Sequence, residues 1–458
     1  MKLSRRSLLR TVAIGGVGAL SFPFFRTLNS AAASMPLPAL SPITEFDLFA
    51  APASFQLLPG TTTHGLGFNG QIAAPVIRGK QGQPLRIRFH NRLDEPTTIH
   101  WHGVRLPLAM DGVPDVTQAP ILPGESFIYE FTPPDAGTFW YHPHVNSIEQ
   151  LGRGLVGPLV IDEAEDPGFD QDLVLLLKNW NLQSNGEFGE LSVKRYAARQ
   201  GTPGQTFSVN GQSEPEYAVH AGAAVRLRLI NADNTWPYEL TLQGAPAQIL
   251  SKDANPIVPE RFEGYTLGAG MRLDLGLLVP NQPGQVLELK HKHKVLARLI
   301  VMPSTSAPRL TLPRLPENPI AEPDLNQAEK LFFSFEWDAI SDEQGRALFW
   351  NLKGPKAQRP AYCTNANLLA SLARNKSYIF TLRNNTQYPH PIHLHGHTFK
   401  VLESDKRPIT PYYADTVLLE KHEQVSIAFV ADNPGRWMFH CHVIEHMAMG
   451  LVGMIEVV

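Results

Sequence analysis

Cysteine is nearly absent from this chain of 458 residues, which has only Cys363 and Cys441. That excludes a disulfide framework and any four-cysteine zinc or iron–sulfur site. An excess of positive charge is also missing. Lys and Arg number 40 against 43 Asp and Glu, a formal net charge of −3, which argues against a nucleic-acid partner, because phosphate contacts need a basic surface. No apolar run reaches the roughly 20 residues that a membrane-spanning helix requires, and the 9 methionines form no run. Histidine is what the chain has in quantity, 17 residues, so imidazole must do most of any metal binding. With 43 % hydrophobic and 18 % charged residues, the chain is long enough to bury two to four separate cores.

Residues 1–33 carry Lys2, Arg5, Arg6, Arg10 and Arg26 and no acid. Ser4-Arg5-Arg6-Ser7-Leu8-Leu9-Arg10, the apolar stretch 11–25 and Ala31-Ala32-Ala33 read as a twin-arginine export signal over residues 1–34, cleaved on export. This predicts the twin-arginine export machinery as a partner and a periplasmic or otherwise exported protein without stable membrane insertion. Export in the folded state suits a protein whose cofactor or thiolate is assembled before it meets an oxidising compartment.

The rest of the chain repeats one module three times. Phe68-Asn69-Gly70-Gln71 precedes Gly82, Leu85-Arg86-Ile87-Arg88-Phe89 and Asn91, while Val209-Asn210-Gly211-Gln212 precedes Gly222, Val225-Arg226-Leu227-Arg228-Leu229 and Asn231. The third copy keeps Tyr378-Ile379-Phe380-Thr381-Leu382 and Asn384. Alternating apolar residues and many prolines predict an all-β fold of Greek-key sandwiches. Six prolines between Pro303 and Pro323 place a linker at 303–325. The units predicted are then 35–165, 166–302 and 326–458.

Four clusters carry the chemistry: His100-Trp101-His102-Gly103, His142-Pro143-His144, His390-Pro391-Ile392-His393-Leu394-His395, and His440-Cys441-His442-Val443-Ile444-Glu445-His446. Two residues apart on a strand, side chains share a face at a spacing of about 7 Å. The repeat shows how the clusters meet. Asn91 to Gly103 and Asn384 to Gly396 are the same interval, as are Gly137 to His142 and Gly435 to His440. His100 and His102 therefore correspond to His393 and His395, and His142 and His144 to His440 and His442. Packed about a pseudo-twofold axis, modules one and three would bring eight imidazoles to one site, enough for about three copper ions. Strand alternation sends the Cys441 sulfur to the other face, where His390 and His446 complete a His-Cys-His set of the blue-copper kind. A one-electron site joined through the chain to a multinuclear one suits reduction of O2 to water.

On these motifs the sequence resembles the three-domain multicopper oxidases of the bacterial laccase-like type, across essentially the whole mature chain. The resemblance implies three consecutive cupredoxin-like domains, the second without copper ligands, and four copper ions per chain. It implies type 1 copper on His390, Cys441 and His446, and type 2 copper on His100 and His393. The type 3 pair would take His102, His142, His144, His395, His440 and His442. Cys441, His440 and His442 would carry electrons between the sites. The implied substrates are O2 and a small reducing substrate, with phenols or aromatic amines meeting the edge of His446 or His390 as the leading class. A cuprous or ferrous metallo-oxidase, a non-catalytic envelope protein of the same fold and a copper nitrite reductase are the alternatives.

The chain departs from its relatives in places. The axial type 1 position falls on Leu451, where many relatives have Met, with Met449 a weaker competitor. A position that is acidic in several relatives is Met447 here. Asp111 takes the place of the other acidic residue near the type 2 site and is assigned the proton relay. Glu445 and Asp415 are candidates to orient a ligand imidazole. His291-Lys292-His293 fails the register and reads as a solvated strand end. His64, His90, His220 and His422 read as ordinary polar residues, His397 as a neighbour of the ligands or a surface residue, and Cys363 as an inert thiol.

Overall fold

Alternation in the repeated strands explains the architecture. In Leu85–Asn91, Leu85, Ile87 and Phe89 are buried while Arg86 and Arg88 reach the surface and pair with Glu45 and Glu130. Such a strand needs a second sheet to cover its apolar face. A computed structural model of the chain describes residues 43–458 apart from 73, 342–346, 358 and 361–365, so the export signal and Cys363 lie outside the described residues. It is nearly all β, with six sheets of four and four, six and five, and six and five strands, drawn in turn from residues 44–162, 171–302 and 329–457. These are cupredoxin-like sandwiches. Between Met302 and Glu329 the Pro-rich chain forms no strand. Among the described residues no helix is long and apolar enough to cross a membrane.

The same frame recurs. Each unit opens with a long strand parallel to the repeated one: Thr44–Phe55 beside Leu85–Asn91, Gln171–Trp180 beside Ala224–Asn231, and Glu329–Ser341 beside Ser377–Asn384. The asparagine that ends each repeated strand is buried and does one job three times. Asn91 Nδ2 donates to the carbonyls of Glu95 and Ile121, Asn231 Nδ2 to those of Trp236 and Leu267, and Asn384 Nδ2 to those of Tyr388 and Glu420. Each Oδ1 also accepts the amide two residues on. A buried amide with both its donor hydrogens and its oxygen engaged ties the exit of the strand to the loop that follows, and in units one and three that loop leads to the His-x-His strand.

The cores of units one and three form one continuous apolar cluster, while unit two has its own. A third cluster, including Trp140, Leu151, Ile230, Met438 and Met447, fills the junction of the three.

Arg226 and Arg228 share the pattern of Arg86 and Arg88 but are buried against the first sandwich. Arg226 binds Asp274 and Glu163, and Arg228 binds Asp172 and the hydroxyl of Thr138, which donates to Asp274. Burial disfavours the Arg226 charge, and Asp274 with Glu163 more than offsets that, so its pKa lies above the ordinary value. Removing one partner of such a pair strands a charge in a dry interior, at about 3–5 kcal/mol. Asp274→Asn is therefore expected to lower the unfolding free energy by that amount in guanidinium titrations. A loss under about 1 kcal/mol, the worth of a surface pair, would show that Arg226 reaches water.

Candidate metal centres

The ligand strands are oriented by what lies between the histidines. Trp101 sits in the first core against Tyr129, Phe131 and Tyr141, with ring centroids 5.4–5.6 Å away. On an extended strand this turns His100 and His102 to the opposite face. Leu394 is buried in the apolar core and turns His393 and His395 likewise. The registers match: His100 pairs with His142 in the first sandwich and His393 with His440 in the third. Across the junction His100 stacks on His395 and His102 on His393, each at 3.8 Å between centroids. These two stacks exchange under the pseudo-twofold relation predicted from the repeat.

All eight imidazoles are buried. Two triads stand out, with donor atoms within 4.8 Å of one another: His102, His142 and His442, and its counterpart His144, His395 and His440. His100 and His393 lie between them and group with His102. A carbonyl can only accept, so the partners settle which nitrogen carries hydrogen. His100 Nδ1 donates to the Asp111 carbonyl, His142 Nδ1 to Pro143, His393 Nδ1 to Asp415 and His440 Nδ1 to Cys441, at 2.9–3.1 Å. His395 Nδ1 is 2.9 Å from Asp111 Oδ2. Their Nε2 atoms are left bare. His102 is reversed, its Nε2 facing Asp415 Oδ1 at 3.2 Å.

Six of the eight keep a buried nitrogen with no partner: His100, His102, His142, His144, His393 and His442. His395 Nε2 and His440 Nε2 face each other at 3.1 Å. Each unsatisfied buried group costs about 1–3 kcal/mol, and together they rival the stability of a whole domain. Cations at this site would remove that penalty, so the residues present fit copper.

The second cluster lies on the other face. Cys441 Sγ is 3.5 Å from His390 Nδ1 and 3.6 Å from His446 Nδ1, and the two nitrogens are 3.1 Å apart. Here Nε2 is the outward atom, held by Thr386 Oγ1 for His390 and by the Arg199 carbonyl for His446, both at 2.8 Å. Burial pushes the Cys441 thiol above its ordinary pKa, an effect that a bound cation reverses. Cys441 is bonded through the chain to His440 and His442, members of the two different triads.

Two multicopper oxidase family models match the chain, at residues 51–166 and 340–458. The crystal structure of a multicopper oxidase from Pseudomonas thermotolerans superposes with a TM-score of 0.87 at 48 % identity, covering 91 % of this chain and all of that one. The chain belongs to the multicopper oxidase family. Multicopper oxidase MmcO of Mycobacterium tuberculosis is 27 % identical over 87 % of this chain and 84 % of its own length. Laccase-2 of Botryotinia fuckeliana is 28 % identical over 86 % and 78 %. As a multicopper oxidase the chain is an oxidoreductase with O2 as acceptor and copper as cofactor.

The surrounding residues follow the sequence reading at Asp111, Asp415 and His397 and depart from it at Glu445 and His291. Glu445 touches no ligand; its carboxylate accepts from the amide and hydroxyl of Thr202. Asp415 does face a ligand, His102. Asp111 is buried between both histidine sets, with Oδ2 on His395 and Oδ1 3.2 Å from His100 Nδ1. Met447 belongs to the apolar junction cluster. His291 is not solvated: it is buried, and its Nδ1 accepts the Glu239 amide. His397 is also buried, against Trp437 and Phe429. His446 and His390 are both fully buried, so neither offers an exposed edge to a donor.

Arg272 is the residue sequence reasoning missed. From the second sandwich it donates through Nη1 to Asp415 Oδ1 at 2.8 Å, through Nη2 to Asp415 Oδ2 and through Nε to the Thr138 carbonyl. Its amide and that of Thr416 bind Asp253. Burial lifts Asp253 up to about 7, whereas Asp415, although equally buried, is held below the carboxylate range by the Arg272 guanidinium. Gly103, at φ +86°, ends the His-x-His-Gly motif because a Cβ there would overlap Arg272 and Asp415. The second unit, expected to hold no copper ligand, thus reaches the ligands through their partners.

Burial, then the neighbouring imidazoles, holds His102, His144 and His395 well below their usual pKa. In the unfolded chain they titrate near about 6.5. Without copper, stability is therefore full above that pH and is lost as pH falls below it, because the unfolded state binds more protons. Unfolding free energies of copper-free protein between about pH 8 and 5 should fall with a slope of several protons, and copper should flatten the profile. A flat profile without copper would show that the imidazoles are not held neutral.

Proposed function

We propose that this multicopper oxidase is laccase-like: it takes single electrons from phenols or aromatic amines at His390, Cys441 and His446 and passes four to O2 at the eight-histidine cluster, giving water. The observation that carries the reading is the pair of separate ligand sets, one with a thiolate and one wholly of imidazole, joined through Cys441, His440 and His442. His390, Cys441 and His446 would hold type 1 copper, His100 and His393 type 2, and the two triads the type 3 pair. Bound copper would supply a one-electron couple at the thiolate and a four-electron site for O2.

The chain's own residues do the rest. Carbonyls fix His100, His142, His393, His440 and His446 in one tautomer, and carboxylates orient His102 and His395, as second partners of metal-bound histidines do. The apolar junction around Trp140 and Met447 keeps bulk water away. Asp111, with Oδ1 lacking a hydrogen-bond partner beside His100 and His395, is placed to pass protons towards reduced oxygen. Leu451, the proposed axial residue, is buried in the same core as Cys441; a side chain without a donor atom raises the potential of a type 1 site. The twin-arginine motif supports export to the periplasm with copper already in place.

Copper-loaded protein is expected to be blue with about four coppers per chain, and Cys441→Ser to be colourless. Steady-state oxygen uptake with 2,6-dimethoxyphenol, Cu(I) and Fe(II) names the donor. The phenol should give the largest specificity constant, and turnover of only a metal ion would overturn the laccase reading. Leu451→Met should lower the type 1 potential in a redox titration. An unchanged potential would show that residue 451 is not axial.

A further inference from the structure

The type 1 imidazoles are covered by a segment of the second sandwich, and the cover is built rather than incidental. From the last residue of the short helix Lys194–Ala197 onwards, three consecutive carbonyls accept from three rings of the third unit. Trp350 Nε1 donates to Ala197 at 2.9 Å, Trp337 Nε1 to Ala198 at 3.1 Å and His446 Nε2 to Arg199 at 2.8 Å. Beyond them, Thr202 is fastened by Glu445, the residue before His446. Trp350 is itself 4.3 Å from the His446 ring. His446 is fully buried beneath this set.

On the outer side of the cap lies a groove of about 470 Å³, bounded by Arg195, Arg199, Trp337, Asn385, Gln387 and Tyr388. Trp337 is 52 % exposed, an unusual state for an indole. Arg195 and Arg199 are exposed, and among the described residues they have no acidic partner and the lining contains no carboxylate. Arg195 donates to the Tyr196 hydroxyl and lies over that ring. An exposed indole between two unpaired guanidinium groups suits a planar ring carrying a carboxylate or sulfonate: the indole takes the ring face and a guanidinium forks the anion.

We propose that aromatic donors bearing an anionic group dock in this groove against Trp337, anchored by Arg195 and Arg199, and give their electron across the Arg199 peptide rather than to an exposed imidazole. The proposal rests on the laccase-like reading and names the substrate class of that same site. Each phenolic donor loses one electron and its hydroxyl proton to become a phenoxyl radical; the electron crosses from the groove to the Arg199 carbonyl, already hydrogen-bonded to His446. Four such losses, with four protons, reduce one O2 to two water molecules.

The test is calorimetric titration of the copper-loaded full chain with 3,4-dimethoxybenzoate, whose oxygens are blocked, and with the neutral 3,4-dimethoxybenzamide. The acid should bind about tenfold more tightly, the worth of one charge-assisted contact. Arg195→Gln with Arg199→Gln should bring the two within about twofold. Trp337→Ala should weaken both ligands, and Trp337→Phe should restore them. A preference that survives the double arginine change, or unaltered binding to Trp337→Ala, overturns the proposal. Oxygen uptake with neutral 2,6-dimethoxyphenol is followed on the same wild-type preparation. Uptake without the binding pattern sinks the docking site alone, whereas the binding pattern without uptake sinks the laccase reading and leaves the site.

Discussion

At the large cluster six of the eight imidazoles, all but His144 and His442, must hold one nitrogen in a hydrogen bond so that the other turns bare to the interior. The rest of the structure follows from that requirement. Carbonyls of Asp111, Pro143, Asp415 and Cys441 supply four of these bonds, so the backbone itself must arrive at fixed places. Two of the four carbonyls belong to the residue directly after the ligand, which is why the strands carrying His142 and His440 end where they do. The other two, Asp111 and Asp415, come from segments that follow the His-x-His strands. A frame that holds many bare nitrogens together is unstable by itself. Its geometry is therefore maintained by apolar packing elsewhere, in the joint core of units one and three.

Much of this was legible in the sequence, for a simple reason. A repeat fixes correspondence, and on a strand correspondence fixes register, so equal intervals from Asn91 and Asn384 and from Gly137 and Gly435 were enough to pair His100 with His393 and His142 with His440. Face was legible too, since alternation has a period of two. What alternation does not reveal is what a polar face looks at. Arg86 and Arg226 occupy equivalent places in near-identical strands, yet one meets water and the other a neighbouring sandwich. The same gap hid Arg272 and turned His291 from an expected surface residue into a buried acceptor. No periodicity marks a contact between units.

The second unit shows what that gap concealed. It contributes no residue to either ligand cluster, but it meets both at one remove. Arg272 grips Asp415 behind His102, Gly270 accepts from Trp140, and the segment around Arg199 closes over His446. Asp415 and Asp253 flank one guanidinium, and their opposite pKa directions follow from that arrangement: a single cation stabilises the carboxylate it forks, and the other is left with mainly the cost of burial. The unit thus behaves as a clamp, because three sandwiches bound through one buried arginine cannot shift singly without uncovering a charge.

Near-symmetry also stops short at the outer face, where among the described residues only the third unit has a His-Cys-His set. The counterparts of His390, Cys441 and His446 in the first unit are Thr97, Pro143 and Ile148. Thr97 is buried and spends its hydroxyl on Gln150, Pro143 has no donor atom in its side chain, and the space on that face is taken by Trp101 with its aromatic neighbours. Both halves keep the four imidazoles that face the axis, since the central cluster needs both. Only the third unit keeps the soft ligand on the outer face, where unit two can reach it with a cap. The first unit fills the corresponding place with side chains that pack and do not ligate.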